Sequence, residues 1–143
     1  MYKLILFAGI LFSGTVILNS CSKSNGNPVT PATQVIFDRD LLISSATDSS
    51  ANVTSHFSGI TFHFTGPYTA LTGNATAANT LVAVSGSWST NATYNKITFT
   101  FPTTIFSDLA YLNKQWLIAD PSANPLVLTA TNGETDVLQF SIK

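Results

Sequence analysis

From residue 34 onward, apolar residues recur at every second position in short runs. The segment 59–65 (GITFHFT) places Ile60, Phe62 and Phe64 on one face and Thr61, His63 and Thr65 on the other. The segment 96–101 does the same with Ile97, Phe99 and Phe101, 81–88 with Val82, Val84 and Trp88, and 137–142 with Leu138, Phe140 and Ile142. A period of two marks a strand with one buried face. Weaker runs at 41–45, 68–72, 115–119 and 126–131 bring the set to eight strands. Turn formers separate them: Gly66-Pro67, Gly73-Asn74, Asn91 to Asn95, Asp120-Pro121 and Asn132-Gly133. One segment reads as a short helix, 107–113, with Ser107 as its N-cap, Asp108 at its positive end, and Leu109 and Leu112 on one side. Eight short strands joined mostly by tight turns predict an all-β fold, an antiparallel meander. Closing it into a barrel removes its exposed edges.

The first 33 residues have a different pattern. Met1-Tyr2-Lys3 precedes an apolar run over 4–18, shorter than the ~20 residues that span a bilayer. The stretch 1–20 reads as a signal peptide. The stretch 22–33 (SKSNGNPVTPAT) has no apolar periodicity and reads as a flexible tether. Fully extended it reaches about 40 Å, at ~3.3 Å per residue. The domain is then 34–143, a single unit large enough for one core. Between leader and tether, Leu18-Asn19-Ser20-Cys21 resembles the lipobox of bacterial lipoproteins. The resemblance implies cleavage before Cys21, a diacylglycerol on its sulfur and acylation, typically palmitate, of the new amine. One acyl chain holds a protein only marginally, whereas several give stable membrane attachment. Cys21 is the only cysteine. With it lipidated, no disulfide can form and stability must come from packing.

Charge is scarce, with five Lys/Arg and seven Asp/Glu after Cys21 and no basic cluster. That excludes the electrostatic footprint of a nucleic-acid binder. Ser, Thr and Asn make up about a third of the same stretch. The exposed face of the sheet should therefore be neutral and hydroxylated.

Longer motifs carry a second resemblance. Thr54-x-x-Phe57-x-Gly59-x-x-Phe62-x-Phe64, Gly86-Ser87-Trp88, Ile97-Thr98-Phe99, Leu112-Asn113-x-x-Trp116-x-Ile118 and Leu138-x-Phe140-x-x-Lys143 resemble a set of small Bacteroidota lipoproteins with lipocalin-like barrels. The resemblance implies a lipid-anchored protein of the cell envelope, in the outer membrane. In that group, surface export tends to follow acidic residues just after the cysteine. Positions 22–37 hold none, so the resemblance implies a periplasm-facing protein.

Residue chemistry offers few catalytic sets. His63 shares a strand face with Thr61 and Thr65, and His56 stands seven residues away without the spacing of a zinc set. Asp38 and Asp40 flank Arg39 and would share a face if extended, as a carboxylate dyad or calcium ligands. Asp48 to Asn52 reads as a turn. No nucleophile elbow, HExxH or phosphate loop occurs. Asn52, Asn74 and Asn91 each begin an N-x-Thr pattern, which carries little weight in a bacterial lipoprotein. Trp88 and Trp116 read as core. Tyr68, Tyr94 and Tyr111 lie nearer loops and, with His63, are the candidates for a ligand rim. No catalytic residue, metal or cofactor is expected. The reading is a non-enzymatic, lipid-anchored barrel that binds a small ligand or partner. Its alternatives are an accessory subunit of an envelope or glycan-uptake complex and an enzyme with dispersed residues. Large inward candidates (Phe62, Phe64, Trp88, Phe99, Phe101, Trp116 and Phe140) predict a filled interior, with binding confined to a mouth or the outer face.

Overall fold

The alternation of large apolar and hydroxylated residues resolves into one antiparallel sheet closed on itself. A computed structural model describes residues 36–66, 70–120 and 123–143. The leader, the tether, Cys21 and Tyr68 lie outside the described residues. The strands are β1 (Asp40–Asp48), β2 (Ala51–Asn52), β3 (Thr61–Thr65), β4 (Thr72–Ala78), β5 (Ala83–Thr90), β6 (Lys96–Thr100), β7 (Gln115–Ile118), β8 (Leu126–Ala130) and β9 (Val137–Ile142). From β3 to β9 each strand pairs with the next, and β1 closes the barrel by pairing with β3 on one side and β9 on the other. Eight strands form the wall. The ninth, β2, is a two-residue hairpin arm on the end of β1.

Phe62, Phe64, Trp88, Phe99, Phe101, Trp116 and Phe140 are all buried. Their rings fill the lumen: Phe64 stacks on Phe99 at 5.1 Å, and Phe140 meets Phe62 and Phe64 edge-on at 5.6 Å each. Edge-to-face and offset contacts at such distances are favourable beyond the area they bury. Both ends are plugged. At one end Ile36 and Phe37 turn inward, with Phe37 bridged to Phe64 and its ring 4.3 Å from Trp88. At the other, a 3-10 helix (Ser107–Leu112) buries Leu109 and Leu112. Its Tyr111 hydroxyl shares a proton between the carbonyls of Thr47 (2.7 Å) and Val137 (3.1 Å), and the Trp116 indole N–H donates to the Leu112 carbonyl.

Several local expectations need correction. The strand expected at 68–72 lies at Thr72–Ala78, and Gly73-Asn74 is strand rather than turn. The inward face of β4 holds only Gly73, Ala75 and Ala77, which gives no hydrophobic signal. Their smallness makes room for the partner strand: a Cβ on Gly73 would come within 2.6 Å of the Trp88 ring and 2.2 Å of the Thr65 carbonyl. Leu81 is no strand residue. It stands at a turn tip, 92% exposed, where the Asn79 side-chain oxygen accepts from Leu81 and Val82 N–H. Ile142, read as inward, is partly exposed at the end of β9. The helix is 3-10 and begins after Phe106, with no side-chain cap, so Ser107 is not its N-cap. The stretch 48–52 is a hairpin, turning at Ser49 and Ser50 with φ of 48° and 74°.

Candidate functional site

The strand register, rather than any local motif, assembles the polar groups. β3 pairs with β1 through Asp40 opposite His63, and with β4 through His63 opposite Thr76. Because Phe62 and Phe64 point inward, His63 and its row face the outer wall. The His63 imidazole Nδ1 lies 3.0 Å from a carboxylate oxygen of Asp40. Lys143 follows β9, so its backbone N–H donates to the Asp40 carbonyl at 2.9 Å. Its ammonium reaches over to donate to the Thr61 hydroxyl at 3.2 Å. These groups line an open groove of about 350 Å³, completed by Thr76 and Asn79. It runs along the seam where β1 and β3 part, since their pairing covers only Asp40 and Leu41. Formal charges of one Asp and one Lys balance here, and the remaining lining is hydroxyl, amide and imidazole.

A second groove, about 270 Å³, lies beside the two 3-10 segments, Thr54–Phe57 and Ser107–Leu112. His56 Nδ1 meets Asp108 at 3.3 Å across it. Phe57 and Tyr111 lie side by side on its wall, ring centroids 5.8 Å apart, and Asp48 lies on its rim. Burial, foremost, and then the carboxylates of Asp136, Asp48 and Glu134 push the Tyr111 phenol far up, against its backbone hydrogen bond. Tyr111 stays protonated and serves as a hydrogen-bond donor.

The sequence candidates are therefore scattered. His63 is in the outer-wall groove, Tyr111 in the end groove, and Tyr94 in the β5–β6 hairpin with φ 54°. Tyr68 is outside the described residues. The structure does not bring the tyrosines together with His63. Asp38 and Asp40 form no dyad: Asp38 sits in a turn with φ 54°, before β1 begins, and Asp40 turns to His63. Among the described residues no group of three or more His, Cys, Asp and Glu could hold a metal. Sequence reasoning missed Thr76, Asn79 and Lys143. The first two belong to the misplaced strand and its turn. Lys143 joins His63 only through the β1–β9 closure.

No protein-family model matches the chain, and no curated protein matches it. Among solved structures it is similar to an NMR structure of a protein from Burkholderia xenovorans, with a TM-score of 0.49 and 17% identity over 82% of this chain and 90% of that one. A likeness of that level says nothing of ligand or activity. Among the described residues no helix is long and apolar enough to cross a membrane.

Proposed function

We propose that the protein is a lipid-anchored component of the bacterial cell envelope whose barrel is a non-enzymatic binding module. Its ligand is a small polar molecule held in the outer-wall groove. The lipobox-like Leu18 to Cys21 supports the anchor, and the leader and tether around it support an outer-membrane position facing the periplasm. One observation carries the binding reading: the row Asp40–His63–Thr76, joined by Lys143, lines a 350 Å³ groove outside a core already filled with rings. Binding sites are concave and carry a few convergent polar groups, and this groove supplies donors and acceptors from three strands.

The test is native mass spectrometry on full chain purified from membranes in neutral detergent. A bound small molecule is expected, reduced by His63→Ala and by Lys143→Ala. A stoichiometric co-purifying protein with no small molecule would replace this reading with an accessory subunit. Hydrolytic turnover abolished by His63→Ala would overturn the non-enzymatic assignment.

A further inference from the structure

We infer that the end groove beside the two 3-10 segments is a second, separate site, and that it takes a small organic ammonium with a short apolar stem. The inference does not rest on the outer-wall groove. The cavity has two chemically different parts. Its wall is apolar: Val53, the buried Phe57 and the half-buried Tyr111 ring. Its charged lining is of one sign, Asp48 and Asp108, and no Lys or Arg lines it. The chain carries only six cations in all, so this groove is the reverse of the charge-balanced outer-wall one.

Each part specifies a portion of the ligand. A carboxylate pair beside a partly desolvated wall attracts a positive charge more strongly than carboxylates free in water, because the effective dielectric is lower. The rings of Phe57 and Tyr111 offer contact area to an apolar stem. An inorganic cation would leave that wall unused, and a neutral apolar molecule would leave the carboxylates without a partner. An alkyl or benzyl ammonium satisfies both. Lys114 already stands over the Tyr111 ring, 4.8 Å from its centroid, with its charge held by Asp136 and Glu134. The pull on a second cation therefore comes from Asp48 and Asp108 rather than from the face of that ring. His56, against Asp108 on its Nδ1 side, fixes the carboxylate's position across the groove. The site is open, so affinity belongs in the millimolar range rather than below it.

The test titrates benzylammonium into isotope-labelled full chain in neutral detergent, following backbone amide shifts, with benzyl alcohol as the uncharged probe. Saturable shifts are expected at residues 48, 53–57 and 107–111 with benzylammonium and weaker or absent ones with benzyl alcohol. Asp48→Asn and Asp108→Asn should each weaken binding by roughly fivefold or more, from the loss of one near charge, while His63→Ala leaves it unchanged. Asp48→Asn leaves the His56–Asp108 contact intact, so weakening there is not explained by loosened 3-10 turns. Equal binding of the alcohol, indifference to both Asn variants, or no saturable shift in the millimolar range would each overturn the site.

Discussion

At the scale of single residues, the chemistry with most at stake is Asp136. It is buried, and it is the buried charged group among the described residues. Its carboxylate accepts from the Ser49 N–H at 2.7 Å and pairs with the Lys114 ammonium, which also donates to Glu134 at 3.1 Å. Burial alone would push the Asp136 carboxyl up. The Lys114 ammonium, the Ser49 N–H and the Glu134 hydrogen bond outweigh it and hold the carboxyl below the usual range. Burial likewise works against the Lys114 charge, and Asp136 and Glu134 outweigh it, so the ammonium titrates above its usual range. A lowered acid stabilises the fold above its unfolded pKa and loses that as pH falls through the folded value. A raised base stabilises below its unfolded pKa and loses that as pH rises through the folded value. With unfolded values of about 3.9 and 10.4, both contributions are complete between about pH 4 and pH 10. Thermal melts should therefore be flat with respect to this pair across that window and fall on either side. Asp136→Asn should shrink the acid-side fall. Lys114→Met, which strands a buried carboxylate, should cost about 3–5 kcal/mol by urea titration. A loss below 1 kcal/mol would mean that Asp136 is solvated.

At the scale of elements, β4 shows what small residues do. Trp88 lies over Gly73, and Phe101 lies within 2.6 Å of where a Cβ on Gly86 would stand. These glycines leave room for the rings. Gly73→Ala should destabilise the barrel by about 1–3 kcal/mol through overpacking and shift Trp88 fluorescence. Thr76→Ala on the outer face of the same strand should stay within about 0.5 kcal/mol. A neutral Gly73→Ala would show that β4 can move outward. The same packing explains why this strand was hard to read. Strands whose inner faces carry Phe, Ile or Val were legible from period two alone: β3, β6 and β9. The inner face of β4 is Gly-Ala-Ala, and Leu71, partly exposed before the strand, drew the expectation toward 68–72. Where β6 ends, a side chain replaces a strand partner. Asn113 Oδ1 accepts from Phe101 N–H at 2.6 Å and its Nδ2 donates to the Phe101 carbonyl at 2.8 Å. Nothing in the Leu112-Asn113 motif signals that pairing, because it spans twelve residues. The candidate groove is similar. His63 is visible on its strand, but its partners Asp40, Thr76 and Lys143 arrive through register, which the sequence pattern does not carry.

At the scale of the whole molecule, the lipid anchor and the solid core divide the work. Membrane residence is assigned to Cys21 and the barrel is left free for surface binding, so Cys21→Ser should leave the precursor full-length and unlipidated. A mature-size species that still partitions with detergent would remove the lipobox reading. The core tests whether binding can be internal. Phe99 is buried between Phe64, at 5.1 Å, and Phe140, at 6.0 Å, near the middle of the lumen. Phe99→Ala should cost about 3–5 kcal/mol, since the neighbouring rings relax only partly into the space. An apolar cavity of that kind stays dry and takes up benzene. The variant's melting temperature should therefore rise with added benzene, because a ligand that binds only the folded state stabilises it by mass action. The parent chain should show no such rise, because its rings already occupy the lumen. A benzene-dependent rise in the parent comparable to that of Phe99→Ala would mean that the barrel holds an internal apolar site, and binding would move from the outer wall into the lumen.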